Sequence, residues 1–364
     1  MIAAPPVPAA APAGPTLKLG GRAIPVVLPS VRDPRLKLSA VIVALQVLGQ
    51  TVLGFKVSIA QILITIATCA LVDTALTLRR QGILAWPASA LLTGNSIAFI
   101  LRTNGTKHGD WWSLNGIEWF ILAALVSLLV KYLVRPGGRH RFNPSNVGIV
   151  WALLVVGPVH VFPQYLWWGP LEAPVIAALV VIALGALWVL RQVRMLRMAL
   201  AFLVPFTALI AILAASGQSF LAIWSEAPVS GADYWLRICT SPEVFVFVFF
   251  MMSDPATAAK TPRGRIAFGV LTAVVAAALI APQSTEYGVK AAILASLTLA
   301  CALVPLIEAL VARARPTLTL RALRPASVAV AIIAITAVAG TATLAGNRDL
   351  VYIEQGLVGK RNAQ

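Results

Sequence analysis

Long apolar runs separated by short polar loops constrain this chain more than any other feature of its sequence. A helix needs about 20 residues to cross the hydrocarbon core of a bilayer, and runs of that kind recur along most of the chain. Of the 364 residues, 59% are hydrophobic and 12% are charged, and the mean hydropathy is +0.86. A soluble domain carries roughly twice this charged fraction. The sequence therefore predicts an all-α polytopic membrane protein.

The apolar runs form two groups of five, followed by a single run. The first group covers residues 38–55, 57–78, 83–101, 117–134 and 146–162, the second covers 174–190, 198–216, 236–252, 266–281 and 289–311, and the single run covers 326–345. An odd number of crossings in the first group inverts the second group relative to it. We therefore predict about ten transmembrane helices as two inverted five-helix repeats with broken helices, plus one extra C-terminal helix.

The same runs define the domain organisation. An Ala- and Pro-rich start has no continuous apolar core and predicts a disordered tail. The predicted units are a cytoplasmic tail at 1–36, the first repeat at 37–162, the second at 163–312, a linker with the extra helix at 313–346, and an outer tail at 347–364.

The basic residues indicate how the chain is oriented. The net charge is +16. Nucleic-acid binding would require these charges to form one basic patch, but the Lys and Arg residues lie in alternate short loops. Such alternation is an orientation signal, because basic loops stay in the cytoplasm. We predict a multi-pass protein of the bacterial inner membrane with a cytoplasmic N-terminus, in contact with the lipid bilayer and not with nucleic acid.

The sequence does not indicate a metal site or a hydrolytic active site. The cysteines Cys69, Cys239 and Cys301 lie in separate apolar runs, as buried small hydrophobic residues do. His108 and Asp110 come from one loop, and two ligands do not make a metal site. We predict no metal and no catalytic residue.

The segment 239–265 departs most clearly from a plain membrane helix. The polar sequence 240–243 opens an apolar stretch, 253–257 closes it with an Asp-Pro pair, and a basic Pro/Gly loop follows. This pattern predicts a broken helix whose exposed polar groups face a protein-lined pocket. The sequence 91–96 predicts a similar polar interruption in the third span.

Several of these polar residues have two interpretations. Asn143 and Pro144 either cap the fifth span or help to bind an anion at its start, and the two roles can coincide. Asp254 either accepts hydrogen bonds in a turn or contacts a cofactor or partner. Glu243 either has a proton or cation role or is a favourable acid in the first turn of a helix, which we slightly prefer.

Three motifs carry a family resemblance. The sequences 142–144, 253–258 and 261–269, in this order and spacing, resemble the signature of the RnfD component of Rnf-type electron-transport complexes and the NqrB component of the sodium-translocating NADH:quinone reductase. The resemblance covers roughly residues 38–311. Within that superfamily, the sequences 91–96, 109–114, 167–170 and 240–244 are most similar to the UnbU-type membrane proteins encoded beside enediyne polyketide synthases.

The resemblance implies an inverted-repeat bundle that takes part in electron transfer coupled to cation movement, with flavin as cofactor. The family attaches FMN to a Thr, whereas the corresponding segment 160–173 holds neither Ser nor Thr. Covalent FMN is therefore not expected. The expected cofactor is non-covalently bound FMN or riboflavin. The candidate cofactor-binding residues are Thr93, Gly94, Asn95, Asn143, Pro144, Ser241, Glu243, Asp254, Thr257 and Arg263.

These observations lead to a functional prediction with two alternatives. The protein is predicted to be a non-catalytic accessory membrane subunit for flavin- or quinone-linked electron transfer, in enediyne-type natural product biosynthesis, with other membrane or soluble redox subunits as partners. The alternatives are a non-redox transporter of a small molecule or cation with the same fold, and a membrane scaffold for a biosynthetic complex. A bound chromophore, solute uptake by vesicles and co-purifying enzymes would distinguish the three.

Overall fold

The structure is a computed structural model that describes residues 15–312, apart from positions 20, 31, 165–171 and 223. The predicted final span at 326–345 and the outer tail lie outside these residues. Eleven α-helices are seen in the described part: α1 Pro34–Thr51, α2 Ile59–Gln81, α3 Ala88–Ile100, α4 Ile117–Leu133, α5 Pro144–Trp151, α6 Ala173–Val193, α7 Leu196–Ala215, α8 Gly231–Cys239, α9 Pro242–Val246, α10 Pro262–Ile280 and α11 Glu286–Val311. Two of them continue as π-helix, α5 into Ala152–Val156 and α9 into Phe247–Met252.

Short strands tie the helix ends together. The strands are β1 Thr16–Leu19, β2 Arg22–Val27, β3 Leu84–Ala85, β4 Leu101–Thr103, β5 Val161–Pro163, β6 Ser219–Phe220 and β7 Val229–Ser230. The pairs β1–β2, β4–β5 and β6–β7 are antiparallel, and β2 runs parallel to β3. Residues 16–19 and 22–27, which the sequence assigned to a disordered tail, form strands instead, because their backbone groups bond to each other and to β3 after α2.

Six of the described helices are long and apolar enough to cross a membrane. They are α2, α6, α7, the segment Gly231–Met252 counted as one, α10 and α11. The α3 helix and the segment Pro144–Val156 are apolar but shorter, α4 has 17 residues, and α1 carries Arg35 and Lys37 in its first turns. The described residues thus show a helical protein with several candidate membrane-spanning helices, and the predicted number of ten is not confirmed.

The helices pack in a recurring pattern. The α2 helix packs on α3 and α4, α4 on α5, α7 on α10, and α10 on α11. Between the two halves, α1 contacts α6 and α5 contacts α11. Aromatic side chains fill the core, and the rings of Phe202 and Phe206 stack with their centroids 4.9 Å apart. The shorter segments therefore pack against longer helices, α3 against α1 and α2, α5 against α4 and α11, and α9 against α6.

The third span is a continuous helix, which corrects the prediction of an interruption at 91–96. The Thr93 hydroxyl donates to the Ser89 carbonyl oxygen at 2.8 Å, one turn earlier in α3. A hydroxyl satisfied in this way removes no backbone hydrogen bond, so polar residues alone do not break the helix. Gly94 lies where α3 passes close to α2, since an added Cβ would come within 2.7 Å of Ile66 Cα and 2.9 Å of the Thr65 carbonyl oxygen.

We expect Gly94→Leu to disrupt the packing of α3 on α2. Its side chain would collide with backbone atoms that cannot move aside, and small residues are what allow helices to approach closely in membranes. The expected cost is about 1–3 kcal/mol or more, seen as a lower thermal unfolding midpoint in detergent. Ala67→Leu, an equivalent change at an exposed position of α2, should leave the midpoint unchanged; an equal loss in both variants would contradict this interpretation.

Candidate functional site

The segment from α8 to the end of the π-helix is broken, as the sequence predicted. The α8 helix ends at Cys239 and α9 begins at Pro242. The Ser241 hydroxyl oxygen accepts a hydrogen bond from the Glu243 amide at 3.2 Å and so caps α9, while Pro242 needs no amide partner at the first helical position. The following π-helix is almost entirely buried. π-Helical turns occur frequently at functional sites, so this element marks a candidate site.

A cavity of about 700 Å³ lies beside the π-helix. We call it the central cavity. Its walls come from α1, α3, α6, the start of α5 and the π-helix. Volumes of this size are typical of sites for small organic molecules. The broken segment and α3 therefore line one pocket, although α3 itself is unbroken.

The two parts of the central cavity differ in polarity. Its interior is mostly apolar and includes Phe99, Phe249 and Phe250, with Thr93 and Ser96 on the α3 wall. Its mouth is charged and is lined by Arg32, Asp33, Arg35, Arg139, His140 and Asp254. Arg35 and Asp33 form an ion pair of 2.6 Å with each other. An apolar interior with a few hydroxyls and a charged mouth suits an amphiphilic ligand.

Asn143 has a structural role at this cavity, and it also lines it. Its side-chain oxygen accepts from the Asn146 amide at 3.2 Å, which caps α5, and its Nδ2 donates to the Met251 carbonyl oxygen at 3.1 Å. That carbonyl belongs to the π-helix. Asn143 thus forms the predicted cap, lines the cavity and joins α5 to the π-helix, whereas anion binding at the start of α5 stays a prediction.

We expect Asn143→Ala to lower stability by about 1–2 kcal/mol, because both hydrogen bonds disappear. Asn143→Asp should recover part of this loss, since a carboxylate can cap α5 but cannot donate to Met251. Thermal unfolding of the three proteins in the same detergent measures the effect. Equal midpoints for the Ala and Asp variants would show that the cap does not contribute.

Asp254 organises the turn after the π-helix. Its Oδ1 accepts from the Ala256 amide at 2.9 Å, and its backbone carbonyl accepts from Thr257 and Ala258. Its Oδ2 lies 3.6 Å from His140 Nε2. Asp254 therefore acts in a turn, and its carboxylate also faces the mouth of the cavity.

The structure places four of the ten sequence-predicted site residues in the central cavity: Thr93, Asn143, Pro144 and Asp254. The others lie elsewhere: Gly94 and Asn95 on other parts of α3, Ser241 and Glu243 at the start of α9, Thr257 in a neighbouring niche, and Arg263 exposed in the first turn of α10. Arg263 does not line the central cavity, and the positive charge at the mouth comes from Arg32, Arg35 and Arg139.

Glu243 belongs to a buried group of charges that sequence analysis missed. It is in the first turn of α9, as preferred, and its Oε2 lies 3.5 Å from Lys290 Nζ. Lys290, 2% exposed, also lies 2.8 Å from Glu286 Oε1 and donates to the Gln164 carbonyl oxygen at 2.8 Å. We call Glu243, Glu286 and Lys290 the buried ion cluster. The signal was the spacing of Glu286 and Lys290, one turn apart at the start of an apolar run.

A buried cation also lies beside the cluster. Arg102 on β4 is 3% exposed, its Nε donates to the Pro163 carbonyl oxygen at 3.4 Å, and its guanidinium carbon lies 4.8 Å from the ring centroid of Phe162. Pro163 precedes Gln164, the residue that accepts from Lys290. The strands β4 and β5 thus bring Arg102 to the same region as the buried ion cluster. Ionisable residues inside a membrane domain are costly and mark functional sites by default.

Long apolar helices around a partly polar, enclosed interior define this chain as a multi-pass integral membrane protein. Residues 166–316 match the model of the NQR2, RnfD, RnfE family. The match confirms, over this region, the resemblance to the RnfD and NqrB superfamily. No curated protein matches the chain.

Proposed function

We propose that the protein is an accessory membrane subunit of an electron-transfer complex and holds a flavin or a quinone non-covalently in the central cavity. The family match supports a role in electron-transport complexes. The observation that carries the proposal further is the cavity of about 700 Å³, with aromatic walls, hydroxyl groups and a charged mouth. Flat aromatic cofactors bind in apolar clefts with a few convergent polar groups.

The residues around the cavity fit such a ligand. Phe249 and Phe250 offer apolar surface for a ring system, the Ser96 hydroxyl offers hydrogen bonds, and the Thr93 oxygen, whose proton bonds to Ser89, can accept one. When bound, a flavin would supply the electron-carrying chemistry, and the protein would orient it and exclude water. No covalent FMN is proposed, because the segment 160–173 holds neither Ser nor Thr.

We also propose the finer architecture predicted from the sequence. The contacts α1–α6 and α5–α11 between halves, and the equivalent pairs α2–α4 and α7–α10 within them, support two inverted five-helix repeats. The Arg-rich loops support a cytoplasmic N-terminus in the bacterial inner membrane. Cysteines placed one by one in the loops and labelled from either side would test this orientation. Labelling of residue 139 and residue 109 from the same side would refute it.

Purification in mild detergent tests the proposed cofactor. We expect a flavin absorbance spectrum at about one chromophore per chain that denaturation releases into solution, because the link is non-covalent. If the preparation is colourless, extraction and analysis of bound quinone is the second measurement. A preparation that holds neither and rebinds neither would refute the proposal. An association with enediyne-type biosynthesis, as the resemblance implied, would require partner enzymes of that pathway to co-purify.

The buried ion cluster favours one other candidate function, a non-redox transporter of a small molecule or cation. Carboxylates paired with a lysine inside a membrane domain are a common part of ion pathways. Vesicles containing the protein would then move a solute or cation without any redox substrate. Transport that needs an electron donor would instead support the redox proposal.

A further inference from the structure

A smaller cavity of about 90 Å³ adjoins the mouth of the central cavity. Arg139, His140 and Ala256 line both of them. Arg141, Lys260 and Glu308 complete its charged lining, and we call it the basic niche. Since a water molecule takes up about 30 Å³ of liquid, the niche has room for about three waters or one tetrahedral oxyanion.

The charges of the basic niche do not balance. Arg139, Arg141 and Lys260 face a single carboxylate, that of Glu308, and its Oε1 already accepts the backbone amide of Lys260 at 3.0 Å. Over the part of the chain that the structure describes, the side chains of these three cations form no ion pair. The niche therefore keeps an excess of positive charge that its described lining does not offset.

The burial of Arg141 indicates that the excess positive charge of the basic niche does more than set the membrane orientation of a loop. A basic residue that only sets topology would be solvated, whereas Arg141 is half-buried. Burial lowers the pKa of its guanidinium from the ordinary value, and the charge of Glu308 partly opposes that shift. A desolvated cation is costly unless an anion pairs with it. A bound anion would supply this partner.

We propose that the basic niche binds a tetrahedral oxyanion, namely the phosphate group of the ligand whose apolar part occupies the central cavity. Arg141 offers a planar fork of donors and Lys260 a compact charge, the two arrangements that phosphate groups accept. The proposal rests on the proposed function only for the identity of the ligand. The phosphate belongs either to a phosphorylated flavin or to the headgroup of an anionic lipid.

Thermal unfolding of the purified full-length protein tests the niche itself. In detergent at constant ionic strength, inorganic phosphate replacing chloride should raise the unfolding midpoint of the wild type. Arg141→Gln and Lys260→Gln should abolish this rise, and Arg141→Lys should recover part of it. Arg197→Gln, at an exposed position near the start of α7, should keep it. No rise in the wild type, or an equal loss with Arg197→Gln, would overturn the proposal.

Ligand binding then identifies the source of the phosphate. If it belongs to a flavin, FMN should bind at least about tenfold more tightly than riboflavin, as expected for one charge-assisted contact, and Arg141→Gln should remove that difference. If it belongs to a lipid, nanodiscs containing phosphatidate should stabilise the wild type over pure phosphatidylcholine, but not Arg141→Gln. Stabilisation by phosphate without flavin binding would support the niche and refute the flavin. If FMN and riboflavin bind with equal affinity and Arg141→Gln changes neither affinity, the phosphate site in the basic niche is refuted, while flavin binding in the central cavity is not.

Discussion

Replacing Lys290 with methionine is expected to destabilise the protein by about 3–5 kcal/mol. Lys290 is 2% exposed and lies 2.8 Å from Glu286 and 3.5 Å from Glu243. Methionine has a similar length but no charge, so two buried carboxylates would lose this counter-ion. Removing one partner of a buried pair costs far more than the pair itself contributes. The thermal unfolding midpoint in detergent, together with monodispersity on size exclusion, measures the loss.

Two controls separate charge from packing. Lys107→Met, in the exposed loop between β4 and α4, should change stability by less than about 0.5 kcal/mol. The triple variant Glu243→Gln, Glu286→Gln and Lys290→Met removes all three charges together, and we expect it to recover much of the stability lost in Lys290→Met. If the triple variant is less stable than Lys290→Met alone, the three residues do not act as an ion-paired unit.

The long helices could be predicted from the sequence because a single physical requirement sets them. Crossing a bilayer takes a long apolar run, and the predicted runs 57–78 and 289–311 correspond to α2 and α11 within a few residues. The break at 240–243 was also predictable, since Pro242 has no amide to continue α8 and Ser241 can cap the next helix.

The structural features that could not be predicted from the sequence depend on tertiary contacts. The strands β4 and β5 are three residues each, too short for a periodic pattern, and they pair across two helices of intervening chain. Thr93 looked like part of a break because it is polar, yet its hydroxyl bonds back to α3. Lys290 could be paired with Glu286 from their spacing, but no local pattern links either of them to Glu243.

The same limits apply to the candidate site. Asn143 and Asp254 were found because an Asn or Asp next to a Pro is locally informative. The mouth residues Asp33 and Arg35 were not identified from the sequence. They belong to a segment that was assigned to a disordered tail, and they reach the cavity only through folding. Arg263 was selected for its motif, but its position in the first turn of α10 directs it to solvent.

Filling the central cavity is expected to abolish ligand binding without unfolding the protein. Ser96→Trp is the most direct change, because Ser96 lines the cavity on α3 near Phe99. An indole there would occupy space that the proposed flavin or quinone needs, and overlap with a rigid wall costs more than the few kcal/mol that a ring contact contributes. We expect affinity for the proposed ligand to fall at least about a hundredfold, a difference of about 2.8 kcal/mol.

A control must show that Ser96→Trp lowers ligand affinity by filling the central cavity and not by unfolding the protein. Leu63→Trp places the same side chain at an exposed position of α2, where lipid can accommodate it, and it should bind ligand as the wild type does. Flavin fluorescence quenching or quinone displacement gives the affinity, and the unfolding midpoint shows that both variants are folded. A folded Ser96→Trp protein that binds as tightly as Leu63→Trp would place the ligand outside the central cavity, because a cavity lined by α3 and the π-helix cannot hold both an indole and the ring system proposed for it.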